Sequence, residues 1–268
     1  AQGIEKDLFT LDSLIDTKAF KISSRKIEDK YKFKSKSSVY EIIVRSSNVG
    51  SARLALMVGE KGLKEIFSIL GLLEPVQLEL REANLTWPIV PKNWRDITLA
   101  TISYGYGISV SLLHLAKAYA ILGNGGFYVE PTILKKNHDG KKGSRVLKKT
   151  TSDEILKLLE AVVTDKRGTA RILESKYYRI GGKTGTAEKI SLNKRGYQKD
   201  KVVANFVGLF PLNKPQFVIA AFLDEPENNL LKESCRYASC TVVPMVKKLI
   251  ERSGPLMNLT PDYHASNF

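Results

Sequence analysis

The spacing of hydrophobic residues predicts helices over much of the chain. Apolar side chains recur three and four positions apart in several segments, which is the period of an amphipathic helix. Ser37 and Ser38 are suitable N-cap residues for the first segment, and the glycine-rich run 123–126 ends another. Gly59 and Gly62 are expected to interrupt a longer helix. The helices are predicted over residues 39–44, 51–58, 63–70, 111–122, 152–163 and 242–252.

Runs rich in β-branched and aromatic residues predict strands, most of them late in the chain. The runs 202–209 and 217–223 are the strongest, and Pro211 and Pro215 mark the turn between them. Further strands are predicted over residues 129–134 and from residue 177 into Lys183. A short strand or turn is predicted within residues 9–20. The predicted loops are residues 74–97, 135–150 and 191–200.

The order of these elements predicts the fold class. Helices are followed by three successive strands and a last helix, which predicts an α/β fold of the α+β type, with an antiparallel sheet flanked by helices. The chain contains no internal repeat and no clean linker, so residues 1–268 are interpreted as one domain.

The composition is that of a basic chain that can bury a full core. It has 268 residues, of which 43% are hydrophobic, and a formal net charge of +14. Lysines are scattered over the whole length, and no stretch combines arginines with stacking aromatics as a nucleic-acid groove does. The charge is therefore interpreted as a solvated surface, and no nucleic-acid partner is expected. No apolar run approaches the ~20 residues that span a bilayer.

The cysteines and histidines do not form a metal-binding pattern. Cys235 and Cys240 have four residues between them, and the three histidines are scattered, so no zinc or other metal site is predicted. A short-loop disulfide and two free thiols both fit this spacing. His114 lies among leucines within a predicted helix, and a structural histidine is the expectation there.

A polar, glycine-rich run over residues 181–188 carries the first candidate chemistry. Lys183 is followed by Thr184, Gly185 and Thr186. A cation, hydroxyl groups and an unobstructed backbone at a strand make a site for an anion and for a developing oxyanion. A cation with adjacent hydroxyls also fits a carboxylate ligand. On its own, the run fits a glycine-rich hairpin with an exposed lysine better than it fits such a site.

A second polar motif, Ser46-x-Asn48, lies at a predicted turn between two helices. One serine acyl-transfer chemistry uses Ser-x-x-Lys, Ser-x-Asn and Lys-Thr-Gly in this order. Through the order, spacing and flanks of these motifs, the chain resembles the transpeptidase domain of class B penicillin-binding proteins, most closely the division-specific type. The resemblance covers nearly the whole chain, and its segments are 45–50, 103–108, 120–126, 168–170, 181–189, 205–211, 223–226 and 243–250.

The resemblance implies a fold and a reaction. The family's fold is a five-stranded antiparallel sheet between helices, and its enzymes cross-link peptidoglycan stem peptides without a cofactor. A serine attacks the D-Ala–D-Ala bond, D-alanine leaves, and an amine of a neighbouring stem takes the acyl group. β-Lactams would be inhibitors. The implied partners are division proteins, including a glycosyltransferase, at the periplasmic face of the bacterial inner membrane.

The resemblance also implies roles for residues of both motifs. Ser46 would relay protons near the nucleophile and the leaving group, and Asn48 would bind the stem-peptide backbone. Lys183 would supply a positive field and order the serine hydroxyls. Thr184 and Thr186 would hold the terminal carboxylate, and the Thr186 N–H would be half of the oxyanion hole. The catalytic candidates are Ser46, Asn48, Lys183 and Thr186, and the substrate-binding candidates are Thr184, Gly185 and Thr186.

The family's nucleophilic Ser-x-x-Lys is expected upstream of Ala1, because the first five residues resemble the far end of the helix that carries it. The chain is therefore interpreted as a partial domain, inactive alone and without the family's N-terminal anchor. Ser23 and Lys26 share the motif spacing, but their charged surroundings would not desolvate a basic lysine, so Ser23 is not the expected nucleophile. The expected periplasmic setting favours a disulfide between Cys235 and Cys240.

Two other functions fit the same motifs. A serine β-lactamase or β-lactam sensor shares the fold, although residues 87–96 and the glycine turn at 103–107 favour the transpeptidase. A non-catalytic domain would bind a stem peptide without becoming acylated.

Overall fold

The computed structural model describes residues 1–135, 143–190, 196–226 and 235–261. The chain divides into two compact units, residues 1–158 and 159–268, and each is described by itself. The interpretation of the chain as one domain stays a prediction. Across the described ranges, no helix is both long enough and apolar enough to cross a membrane.

The first unit is mainly helical. Its helices are α1 (Gln2–Glu5), α2 (Val39–Val44), α3 (Asn48–Ile69), α4 (Arg81–Leu85), α5 (Asp96–Ile102), α6 (Leu112–Gly123) and the start of α7 (Lys149–Thr164). The sequence predicted α2 and α6 correctly. Ser38 caps α2, since its hydroxyl oxygen accepts a 3.2 Å hydrogen bond from the N–H of Glu41.

Two short antiparallel pairs of strands precede α2. Strand β1 (Leu14–Asp16) pairs antiparallel with β4 (Lys36–Ser38), and β2 (Phe20–Ile22) pairs antiparallel with β3 (Arg25–Ile27). The short strand predicted within residues 9–20 is confirmed by β1. The turn between β2 and β3 contains Ser23, whose φ of 52° is left-handed.

Three predictions for the first unit are wrong in part. Helix α3 begins at Asn48 rather than at residue 51, and Gly62 lies within it, whereas Gly59 leaves helical geometry with φ 72° and ψ 173°. The predicted loop 74–97 contains α4 and the first residues of α5. The predicted helix at residue 152 begins three residues earlier, at Lys149.

The strand predicted over 129–134 is absent from this described stretch. A single antiparallel bridge joins Phe127 to Arg145, and no ladder extends from it through the described residues. The run therefore has strand-forming residues without the paired strand that a ladder requires. Within the predicted loop at 135–150, residues 136–142 lie outside the described residues.

The second unit contains an antiparallel sheet of three described strands. The strands are β5 (Gly181–Ile190), β6 (Tyr197–Phe210) and β7 (Phe217–Asp224), in the spatial order β5-β6-β7, and α8 (Val242–Leu256) packs on the sheet. Helices with an antiparallel sheet confirm the predicted fold class. The resemblance implied five strands, of which three are seen in the described part of this unit.

The core of the second unit lies between one face of the sheet and two helices. Buried side chains from the last turn of α7 and from α8 form one cluster with Phe206 and Phe210 of β6. From the helical spacing, Val243, Val246, Leu249 and Ile250 of α8 are all predicted to point inward. Val243, Val246 and Ile250 are buried, but the prediction is wrong for Leu249, which is 51% exposed.

Strand boundaries in the second unit differ from the prediction at two places. The strand predicted from residue 177 begins only at Gly181, which pairs with Leu209. The partner β6 ends one residue later at Phe210, and Pro211 has no N–H with which to extend the ladder. The predicted loop 191–200 is wrong from Tyr197 onward, where β6 begins, and residues 191–195 lie outside the described residues.

Candidate functional site

The Ser46–Asn48 motif lies at the tight reversal between α2 and α3. Ser46 has a left-handed φ of 56°. The N–H of Ser46 donates to the carbonyl of Ile43 at 3.3 Å, and the N–H of Ser47 donates to the carbonyl of Ile42 at 2.9 Å. Ser46 is exposed whereas Ser47 is buried. The reversal therefore presents Ser46 to solvent and uses Ser47 as a structural residue.

A carboxylate that sequence reasoning missed fixes the start of α3. Asp29 accepts hydrogen bonds from the Ser47 hydroxyl at 2.7 Å and from the N–H of Val49 at 3.1 Å. The Ser47 hydroxyl in turn accepts from the N–H of Gly50 at 2.9 Å. An acidic group here also suits the helix dipole. Because Asp29 reaches α3 from a different segment of the chain, no local sequence signal pointed to it.

Asn48 is the first residue of α3 and is partly exposed. Its side-chain amide makes no hydrogen bond to the residues that the structure describes. A primary amide offers both donors and an acceptor. Held by the capped helix start, Asn48 is therefore suited to bind a peptide backbone group.

The Lys-Thr-Gly-Thr run occupies β5, which lies at one edge of the three described strands. Successive side chains of a strand point to opposite faces, so Lys183 and Gly185 share one face and Thr184 and Thr186 share the other. Residue 182, just before them, has to be a glycine, because a Cβ there would collide with the Phe206 ring and lie 2.6 Å from a backbone carbonyl oxygen of β6. The glycine thus allows the strand to pack closely where Lys183 begins the motif.

Lys183 is a half-buried cation. Its Nζ donates a 3.1 Å hydrogen bond to the carbonyl of Thr184. Burial lowers the pKa of Lys183 to about 8, because removal from water disfavours the ammonium form. The side chain is therefore mostly protonated at neutral pH and can supply a positive charge there, and it loses that charge under mildly alkaline conditions.

The two threonine hydroxyls of β5 have different partners. Thr184 Oγ1 donates a 2.7 Å hydrogen bond to Thr169 Oγ1. Thr186 Oγ1 accepts a 3.1 Å hydrogen bond from the backbone N–H of Ala238. Since a hydroxyl has one donor and two acceptor sites, Thr186 keeps its proton for a ligand. Thr169 lies within a segment that carried the resemblance, but the sequence assigned it no role.

The predicted disulfide is confirmed, since Cys235 and Cys240 are bonded. Between them, the segment Ala238–Cys240 forms a 3₁₀ turn.

His114 has a structural role, as the sequence indicated. The buried imidazole Nδ1 lies 2.7 Å from the Ser111 hydroxyl and Nε2 lies 2.9 Å from the carbonyl of Glu74. These contacts join the start of α6 to the loop that follows α3. Burial lowers the pKa of His114, and the bond to Glu74 opposes this effect.

The geometry around Ser23 does not resemble a nucleophile site. Ser23 lies in the β2–β3 turn rather than on a helix, and Lys26 is an exposed strand residue. The Lys26 ammonium forms a 2.5 Å ion pair with Glu28. Such a lysine stays solvated and charged, which is unsuited to a general base.

The site residues fall into two sets. Ser46 and Asn48 lie together at the start of α3 in the first unit, and residues 183–186 lie along β5 in the second. Where the described residues are concerned, no group of three or more metal-ligating side chains is present. The first set offers a hydroxyl and an amide, and the second offers a cation and hydroxyls suited to an anion.

Comparison with known proteins adds the family context. Residues 1–249 match a family model described as the penicillin binding protein transpeptidase domain. The chain is 33% identical over 267 residues to the probable peptidoglycan D,D-transpeptidase FtsI of Caulobacter vibrioides, covering 97% of this chain and 45% of that protein. It is 30% identical over 267 residues to the peptidoglycan D,D-transpeptidase FtsI of Buchnera aphidicola, and this match also covers 97% of this chain and 45% of that protein. The chain thus spans less than half the length of these relatives.

A solved structure shows the same fold. The TP domain of penicillin-binding protein 3 from Burkholderia pseudomallei, in its apo form, is 31% identical to this chain and superposes with a TM-score of 0.86. The superposition covers 97% of this chain and 77% of that one.

Proposed function

The chain belongs to the penicillin-binding protein transpeptidase domain family, and we propose that the whole protein is a peptidoglycan D,D-transpeptidase. Its substrate is a stem peptide that ends in D-Ala–D-Ala, and its inhibitors are β-lactams. The observation that carries this proposal is strand β5, where a half-buried lysine cation is followed by Thr184 and Thr186 at one edge of the three described strands. The names of the two FtsI relatives, both peptidoglycan D,D-transpeptidases, support the same reaction.

The reaction we propose is acyl transfer through a serine ester. The serine oxygen bonds to the carbonyl carbon between the two D-alanines, the C–N bond breaks, and D-alanine leaves after its nitrogen gains a proton. The amine of a second stem then displaces the serine, which regains its proton. No serine of this chain is assigned the role of nucleophile.

Residues of β5 would bind the anionic parts of this substrate. The Lys183 ammonium, with its pKa at about 8, is present at neutral pH to attract the terminal carboxylate. Thr184 and Thr186 hydroxyls would donate to that carboxylate, beside the unobstructed backbone of Gly185. The Thr186 N–H would donate to the oxyanion. In other enzymes, removing one such donor lowers the rate about 10²–10³-fold.

Residues at the start of α3 would act on the peptide and on protons. Ser46 is exposed at the reversal, where its hydroxyl can relay a proton to the leaving nitrogen. The Asn48 amide, without a hydrogen bond to the described residues, can bind the stem-peptide backbone.

We further propose that the protein acts in cell division at the periplasmic face of the inner membrane, with a glycosyltransferase partner, because the motif flanks resemble the division-specific type.

Labelling by a fluorescent penicillin tests the proposal in the full-length natural protein. We expect stoichiometric labelling of the wild type, a loss of at least about 100-fold in acylation rate for Lys183→Ala, and slower acylation for Asn48→Ala. Lys201→Ala is the matched control, because Lys201 is a lysine of the same sheet whose partly exposed side chain pairs with Glu225 at 3.2 Å. Near-normal labelling of both site variants would refute the site assignment.

Product analysis then separates the alternative functions. A donor stem peptide incubated with an acceptor amine should give a cross-linked dimer and free D-alanine. Rapid multiple turnover of the penicillin would instead indicate a β-lactamase, and binding of the stem peptide without an acyl-enzyme would indicate a non-catalytic domain.

A further inference from the structure

We propose that Thr169 is a positioning residue that orients the Thr184 hydroxyl for the carboxylate of the ligand. This inference rests on the proposed function, in which Thr184 binds that carboxylate. It starts from the 2.7 Å hydrogen bond between the two side-chain oxygens, which joins residues 15 positions apart.

Thr169 is held in a defined place by the turn that follows α7. The N–H of Gly168 donates to the carbonyl of Asp165 at 2.8 Å, and the N–H of Ala170 donates to the carbonyl of Val162 at 3.1 Å. A Cβ at Gly168 would collide with the Val162 carbonyl oxygen, so the turn is as tight as a glycine allows. Ala170 is fully buried. The backbone on both sides of Thr169 is therefore fixed, and its hydroxyl reaches β5 from a rigid support.

The direction of the hydrogen bond matters for ligand binding. In the structure Thr184 donates its proton to Thr169, so the Thr184 proton is already used. A carboxylate only accepts hydrogen bonds, so Thr184 must turn its proton toward the ligand to bind it. The Thr184 oxygen can then accept the Thr169 proton in place of the bond that it gave up. Thr169 makes no other hydrogen bond to the described residues, so no partner there competes for its proton.

The bound arrangement is a chain of two donated protons, from Thr169 to Thr184 and from Thr184 to the carboxylate. Hydrogen bonds in such a chain polarise one another, which strengthens the bond to the anion. Without the Thr169 hydroxyl, Thr184 would still donate to the carboxylate, but its rotation would be unrestrained and its oxygen unpaired. We therefore expect weaker binding of the carboxylate and an unchanged chemical step.

Thr186 provides an internal contrast. Its partner is the backbone N–H of Ala238, which can only donate, so the Thr186 proton is available whatever the ligand. Only Thr184 depends on a second hydroxyl that can act in either direction. Since an ionised carboxylate accepts a stronger hydrogen bond than a neutral carbonyl, the dependence on Thr169 should be largest for ligands that carry a free carboxylate.

The test compares Thr169→Val with Thr169→Ser in the full-length natural protein. Valine keeps the shape and removes the hydroxyl, and serine keeps the hydroxyl. The probes are a penicillin with its free carboxylate and the methyl ester of the same penicillin. With the free acid, Thr169→Val should lower the second-order acylation rate about 3- to 10-fold, the worth of one neutral hydrogen bond. The change should lie in the apparent dissociation constant, with the limiting acylation rate unaltered.

Two further results are expected. Thr169→Ser should react within about 2-fold of the wild type. With the methyl ester, whose neutral carbonyl is a weaker acceptor, wild type and Thr169→Val should differ less than with the free acid. An equal loss on acid and ester, or a serine variant as slow as the valine variant, would mean that Thr169 only supports the fold and would overturn the inference. A Thr169→Val rate equal to that of the wild type would overturn it as well, while leaving the proposed function intact. A wild type that is not labelled at all would overturn the proposed function and this inference with it.

Discussion

The backbone N–H of Ala238 donates a 3.1 Å hydrogen bond to Oγ1 of Thr186, although 52 positions separate them in the chain. Ala238 lies in a short turn that the Cys235–Cys240 disulfide encloses. One of the two threonines proposed to bind the carboxylate is thus oriented by a segment that a covalent bridge holds in a small ring.

Removing this disulfide should loosen the Thr186 hydroxyl. In the double variant Cys235→Ser and Cys240→Ser, the Ala238 amide should exchange its hydrogen faster. Loss of the hydrogen bond to Thr186 should lower the penicillin acylation rate about 2- to 10-fold. Hydrogen-exchange mass spectrometry and labelling of the full-length natural protein measure the two effects. Thr186→Ser, which keeps the hydroxyl, is the control and should stay close to the wild type. Unchanged exchange and unchanged labelling in the cysteine variant would contradict the prediction.

Acylation should depend on pH through Lys183. Burial lowers the pKa of this lysine to about 8, so the cation is present below that pH and is lost as the pH rises through it. The second-order acylation rate by an anionic penicillin should therefore be constant near neutral pH and fall with a midpoint near pH 8. Lys183→Arg should react more slowly but show no such fall, because a guanidinium stays protonated. A wild-type rate that stays constant to pH 9.5 would refute the assignment of the charge to Lys183.

The packing of α2 on α3 should tolerate little added volume at Gly50. A Cβ at Gly50 would lie 2.5 Å from the buried Ile42 side chain. Gly50→Ala should lower the free energy of unfolding by about 1–3 kcal/mol, measured by urea denaturation. Ile42→Ala leaves room for the added methyl, so the double variant should be more stable than the sum of the two single changes predicts. If the free-energy changes of the two single variants simply add in the double variant, the contact between Gly50 and Ile42 does not limit this packing.

Ser23 should not become acylated in this chain. It occupies a left-handed turn position, and the Lys26 ammonium is paired with Glu28 in solvent. Intact mass and peptide mapping of residues 1–268 after incubation with a fluorescent penicillin should therefore find no adduct on Ser23. A stoichiometric adduct on this serine would overturn the interpretation, and Ser23→Ala would then have to abolish the labelling.

Elements whose stability is local were predicted well. Helices α2 and α6 have N-cap serines and helical periodicity within their own sequence, and both lie where they were predicted. Strands β6 and β7 contain long apolar runs on either side of a proline-containing turn, and they were predicted apart from their ends. The motif residues were found because each motif is compact in sequence.

Elements that depend on a partner were predicted poorly. Residues 129–134 have the composition of a strand, yet they form no ladder with the described residues. Strand β5 starts at Gly181 rather than at residue 177, because its partner β6 ends at Phe210, one residue beyond the residue that pairs with Gly181. Helix α3 begins at Asn48 because Ser47 caps it, and Asp29, from a distant segment, holds the Ser47 hydroxyl and the N–H of Val49.

The sequence by itself determined the fold class, the family resemblance and the residues of both motifs, since these follow from periodicity and from short motifs. Only the tertiary structure decided which side chains support the motifs: Asp29 at the start of α3, Thr169 beside Thr184, and the Ala238 N–H on Thr186. It also decided that Lys183 loses its proton at a lower pH than a solvated lysine. The physical reason is the same in each case, because hydrogen-bond partners and burial depend on which distant segments pack together, and local sequence does not carry that information.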